Sequence, residues 1–82
     1  PYNYMKETIS KMFSLCKKGI AFNTLSQWSD IKTPDEFYAD PKLVIEFCRS
    51  LTPSIVFRHD YHSADFTVYL YRKKYIQSTK VT

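Results

Sequence analysis

The sequence predicts a small α/β domain of two helices and three strands, two of them parallel and the last one antiparallel, central and closing a C-terminal hairpin. Three observations carry that prediction. Apolar residues recur at three- and four-residue spacing over residues 4–18 and again after Asp40 and Pro41, as on one face of a helix. Two β-rich stretches, "SIVFRHDY" and "DFTVYLYRK", are separated only by "HSA", which reads as a hairpin. In the second stretch Phe66, Val68 and Leu70 alternate with Thr67, Tyr69 and Tyr71, so neither face is strongly polar, the pattern of a central strand covered on both sides.

Each element has its own local cause. Met5, Ile9, Met12, Phe13 and Cys16 form the apolar face of the first helix, with Asn3 placed to cap its start. Gly19 follows Lys17 and Lys18, where a left-handed residue past a helix end is expected, and "IAFNTLS" then reads as the first strand. Residues 26–40, "SQWSDIKTPDEFYAD", lack a steady period and hold a proline, four acids and three aromatics, so a long loop tethered by its aromatics is expected. Asp40 before Pro41 is a helix start: the carboxylate caps free amides, and proline occupies the first turn, where its missing donor costs nothing. Leu43, Val44, Phe47, Cys48 and Leu51 line one side of that helix, and Thr52 and Pro53 stop it. The strand-helix-strand crossover makes the first two strands parallel, and the hairpin sets the third against the second.

Composition bounds the function. A chain of 82 residues is one domain, read as 1–75 with a tail at 76–82, and it buries only roughly 60% of its unfolded surface. With 44% hydrophobic residues and 17% aromatic ones it has the makings of a folded protein. Its single glycine excludes a glycine-rich phosphate loop, which needs several residues of unusual backbone geometry. Twelve Lys and Arg against eight Asp and Glu give a net charge of +4, but the excess is spread, and the one run, "RKK" at 72–74, reads as a solvated strand exit. That pattern argues against a nucleic-acid partner. Cys16 and Cys48 each fall on an apolar helix side and imply no disulfide framework. With no bilayer-spanning apolar run and no signal peptide, the expected setting is the cytoplasm, away from membranes.

Chemistry gathers at one edge. Ligands of α/β sheets sit beyond the carboxyl ends of parallel strands. Here the first strand runs out into Asn23, Ser26, Trp28 and Asp30, and the second into His59, Asp60, Tyr61 and His62, with Tyr38 reaching in from the loop. Asn23, Ser26, Trp28, Asp30, Tyr38, His59, Tyr61 and His62 are therefore the candidate wall of a substrate pocket. Against this stands a structural role, in which Trp28, Phe37 and Tyr38 pin a long loop to the core. A zinc site needs three or four converging ligands, and with both cysteines on helix faces no metal is expected. Either histidine has the chemistry of a general base, yet a hairpin-mouth histidine is commonly a solvated turn residue. Ser26, His59 and Asp30 spell a hydrolase triad in composition, but no GxSxG elbow places a nucleophile, so no catalytic residue is assigned.

The stretches "KKGIAFNTLS", "FYADPKLVIEFCRSLTP" and "RHDYHSADFTVYLYRK" resemble the C-terminal half of class I S-adenosylmethionine-dependent methyltransferases, over residues 4–74. The resemblance implies a partial Rossmann-like sheet whose final strand inserts antiparallel between its neighbours. It also implies that the cofactor elements, a glycine-rich turn and an acidic residue after earlier strands, precede Pro1. The chain alone is then expected to hold no cofactor and to be inactive, with S-adenosylmethionine entering only when an N-terminal half completes the fold. The alternative expectation is a stand-alone interaction module without enzymatic activity. In both cases a homodimer through the first strand or first helix is expected, because the resembled fold has a further strand beside "IAFNTL" and an uncovered strand edge invites pairing.

Overall fold

A computed structural model describes residues 1–72 of the chain; the expected tail at 76–82, and Lys73 and Lys74 of the basic run, lie outside the described residues. The elements follow the expected order: α1 (Tyr2–Leu15), β1 (Gly19–Leu25), α2 (Pro41–Leu51), β2 (Ile55–Arg58) and β3 (Asp65–Tyr71).

The three strands form one sheet in the order β1-β3-β2. β3 is central, as its apolar alternation predicts, and is antiparallel to both neighbours. Ile20 pairs with Leu70, Phe22 with Val68 and Thr24 with Phe66 on one side, and Ile55 pairs with Leu70 and Phe57 with Val68 on the other. The expected parallel, Rossmann-like sheet needs correction. β1 and β2 run in the same direction, but β3 separates them, so every ladder between these strands is antiparallel.

Both helices pack on one face of the sheet. Ile9 and Phe13 of α1 and Val44 and Cys48 of α2 join Phe66, Val68 and Leu70 in a single buried cluster, with Phe22, Phe47 and Phe57 packed against it. Phe66, Val68 and Leu70 are completely buried, whereas Asp65, Thr67, Tyr69 and Tyr71 on the opposite face are only partly covered. The expectation of a strand covered on both faces is thus met on one. Tyrosine explains the misreading, because its ring satisfies an apolar pattern while its hydroxyl tolerates water. Tyr69 and Tyr71 stack nearly parallel at 6.5 Å along this open face.

The ends of α1 depart most from expectation. The helix begins at Tyr2 with Pro1 as N-cap and no side-chain cap, so Asn3 lies inside the first turn. It ends at Leu15, two residues before Lys17, with Cys16 already extended. Gly19 has no positive φ and is the first residue of β1. A Cβ at Gly19 would overlap the Leu70 carbonyl oxygen and crowd Tyr71, so close strand approach, not helix termination, requires glycine there. The last carbonyls of α1 are met from the residue that follows β3. Arg72 donates to the carbonyls of Phe13 (2.9 Å), Ser14 (3.3 Å) and Cys16 (2.9 Å), and its guanidinium lies 4.8 Å over the Phe13 ring. Arg72 is therefore a tertiary cap for α1 and not a solvated exit. α2 starts as expected: Asp40 accepts from the Lys42 amide at 3.0 Å and Pro41 occupies the first position.

Candidate functional site

β1 and β2 end at the same side of the sheet, and their exits meet across the end of β3. The first strand passes into Ser26, whose amide donates to the Ala64 carbonyl at 2.8 Å, so this serine is tied to the β2-β3 hairpin. On its other side Ala39 makes a parallel bridge to Ser26, its amide donating to the Leu25 carbonyl and its carbonyl accepting from the Gln27 amide, both at 2.9 Å. Ser26 is completely buried.

His59 continues the side parity of Ile55 and Phe57 beyond the end of β2, which aims its ring at the covered face. There its Nε2 lies 2.8 Å from the Ser26 hydroxyl oxygen. The hydroxyl also accepts from the Trp28 amide at 3.0 Å. Its own proton has no other acceptor among the described residues, and the direction of the bond follows the His59 tautomer: with the ring hydrogen on Nδ1, the hydroxyl donates to Nε2. The ring is held by aromatics as well. Trp28 stacks on it at 4.9 Å with 16° between planes, Phe66 lies at 5.9 Å on a near-parallel plane, and Phe57 meets it edge-on at 6.1 Å. Trp28 remains 57% exposed, so it forms the outer lid of this stack.

The remaining predicted residues are not drawn into that cluster. Tyr61 bonds the Thr67 hydroxyl at 2.6 Å and, with Arg58 and Tyr69, borders a pocket of about 190 Å³. His62 sits in the hairpin, where Nδ1 accepts from the Ala64 amide at 3.1 Å and lies 3.9 Å from an Asp65 oxygen. Tyr38 stays within the loop, its hydroxyl accepting from the Thr33 amide at 2.8 Å while the Lys32 ammonium lies 6.0 Å from its ring. Asn23 is exposed on β1 beside a groove against α1. Asp30 is exposed and makes no hydrogen bond among the described residues, so it does not orient His59. Asp60 is engaged by Arg58, which donates to its two oxygens at 3.2 and 3.1 Å and holds its carboxyl below the usual carboxylate range.

The long loop is held less by its aromatics than expected. Phe37 meets Tyr2 edge-on at 5.0 Å, and the Tyr2 hydroxyl accepts from the Asp40 amide at 2.8 Å. The deeper ties are polar: Ser29 is buried, and its hydroxyl donates to the Ile31 carbonyl at 2.8 Å. Ser29, Phe57 and Phe66 belong to the site but are missing from the predicted set. The period of β2 and β3 could have found the two phenylalanines; nothing local marks Ser29.

Chemically, the cluster is a rigid aromatic and imidazole wall with a buried hydroxyl behind it. A serine so covered is closed to a substrate carbonyl, so the Ser26-His59 pair is not a nucleophile and base. No group of three or more His, Cys, Asp or Glu side chains that could hold a metal ion occurs among the described residues. No helix among them is long and apolar enough to cross a membrane. Comparison with family models, curated proteins and solved structures matches none of them.

Proposed function

We propose that this chain supplies the substrate-side wall of a methyltransferase-like α/β protein and leaves S-adenosylmethionine to residues outside it. The observation that carries the reading is the strand order: β3 inserted antiparallel between two strands of common direction, whose ends bring Trp28 and His59 together. This is the arrangement that the resemblance implies for the last three strands of class I methyltransferases. The described residues do not fit the cofactor itself. The one glycine in the chain gives its space to the Leu70 carbonyl, and no glycine-rich turn stands at a strand end. The chain's own part is steric and orienting. Trp28 and His59 offer a fixed planar surface, and Tyr61 and His62 stand beyond it with exposed polar atoms.

Calorimetric titration of S-adenosylmethionine into the 82-residue chain tests half of this reading, and the expected result is no binding heat at micromolar affinity. One-site binding would overturn it. The coding sequence upstream of Pro1 tests the other half: a strand followed by a glycine-rich turn is expected, and an in-frame stop overturns the reading.

A second reading, an interaction module that associates with itself, is favoured by one observation. Among the described residues no strand covers the outer edge of β1.

A further inference from the structure

The outer edge of β1 has a definite set of open groups. The Lys18 carbonyl accepts from Arg72 and the Ser26 amide donates to Ala64, so the even-numbered residues of β1 turn their backbone toward β3. Leu25 and Gln27 turn theirs toward Ala39 on the other side. By strand alternation Gly19, Ala21 and Asn23 direct both amide and carbonyl outward, with no partner among the described residues. Ala39 closes one end of this edge and the exit from α1 the other, leaving a free stretch centred on Ala21. No proline, bulge or inward charge blunts it.

An apolar stripe flanks the same edge. Tyr4, Met12 and Leu15 recur along one side of α1 and are exposed, and Tyr4, Met5, Ile9, Met12, Phe22 and Phe37 border a groove of about 380 Å³ between α1 and β1.

Charge chooses the occupant. The start of the edge is basic, with Lys17 exposed beside it. The far end is acidic, with Asp65 paired to Leu25 on the sheet's open face and Asp40 just past Ala39. A parallel copy would set like charge against like, whereas an antiparallel copy sets each basic start against an acidic end, twice over.

We infer that β1 pairs with β1 of a second copy, antiparallel and two-fold about Ala21, which gives the self-associating module of the second reading a specific interface. Gly19 then lies opposite Asn23 of the second copy and Ala21 opposite its own counterpart. That register forms about six hydrogen bonds between outward-directed residues. Beyond those three pairs Lys17 leaves the ladder at the end that the second copy's Ala39 closes, on the side of its Asp40 and Asp65. The two α1 stripes border the continuous six-stranded sheet and cover each other's grooves.

Size-exclusion chromatography with light scattering at micromolar concentration should report twice the 9.7 kDa chain mass. A folded species of 9.7 kDa overturns both the inference and the reading under it. Ala21→Pro removes an outward amide that no described residue uses and should give a folded monomer by circular dichroism and mass. An undiminished Ala21→Pro dimer overturns the β1 interface while leaving self-association intact. Should Ala21→Pro unfold, a charge swap decides. Lys17→Glu and Asp65→Lys should each weaken the dimer roughly five- to twentyfold, and the double variant should recover wild-type affinity. Failure of the double variant to recover overturns the antiparallel register.

Discussion

At the scale of single residues, Ser26 and Trp28 share one site but carry different loads. The Ser26 hydroxyl is buried and serves both the Trp28 amide and His59 Nε2, so Ser26→Ala leaves two polar groups short of a partner. A loss of about 1–3 kcal/mol in urea unfolding is expected. Trp28 is more than half exposed and adds ring contacts with His59 and Phe57, so Trp28→Ala should cost only about 1 kcal/mol. Phe66→Ala, at a completely buried position, should cost about 3–5 kcal/mol, enough to unfold a small domain. If Trp28→Ala costs as much as Phe66→Ala, the tryptophan is a core residue and the wall loses its outer surface. Cys48 sets a pH dependence of its own. Burial pushes its thiol up from an ordinary 9.0 to about 11. The folded state therefore keeps a proton that the unfolded chain releases, so this contribution is full below pH 9 and falls as pH rises from 9 toward about 11. Urea midpoints at neutral and alkaline pH should show this decline, and Cys48→Ala should lessen it.

At the scale of elements, the two helices are secured by different means. α2 carries its own start signal, and Asp40→Ala should cost about 1 kcal/mol through the lost cap. α1 lacks a side-chain cap at its start, and its final carbonyls depend on Arg72, at the far end of the chain from the helix. Arg72→Ala should therefore cost about 1.5–3 kcal/mol, and Arg72→Lys should recover only part of it, since one ammonium cannot span three carbonyls. Amide exchange in the last turn of α1 reports the effect directly: both variants should speed it while α2 stays protected. Uniform acceleration across both helices would mean that Arg72 supports the whole fold and not the helix end.

At the scale of the whole molecule, one layer of helices covers one face of a three-stranded sheet, and the described residues leave the β1 edge and a tyrosine-bearing face accessible. A chain of this size has little stability in reserve, so closing its open edge should matter to folding as well as to association. The thermal midpoint should rise with protein concentration, because a dimer of folded chains draws the equilibrium by mass action. A midpoint unchanged across a hundredfold dilution series would show that the fold does not rely on self-pairing.

What the sequence determined by itself was the order and kind of the elements, since their signals are local: period 3.6 in α1 and α2, period 2 in β3, the Asp40-Pro41 start and the short hairpin. The central place of β3 was legible too, from the alternation of Phe66, Val68 and Leu70 with Thr67, Tyr69 and Tyr71, although the cover on both faces that suggested it is present on one face only. Other features rest on contacts distant in sequence, and only the tertiary structure decided them. Gly19 suits a helix stop until the Leu70 carbonyl is set against it, and Arg72 reads as a solvated charge until the end of α1 is brought to it. Of the eight candidate wall residues, Ser26, Trp28 and His59 converge, while Asn23, Asp30, Tyr38, Tyr61 and His62 find local partners or none. Residue type and strand-end position select all eight alike, but convergence depends on side-chain direction and loop path. The path here is set by the bridge between Ser26 and Ala39, a backbone contact between small residues that leaves no mark in either side chain.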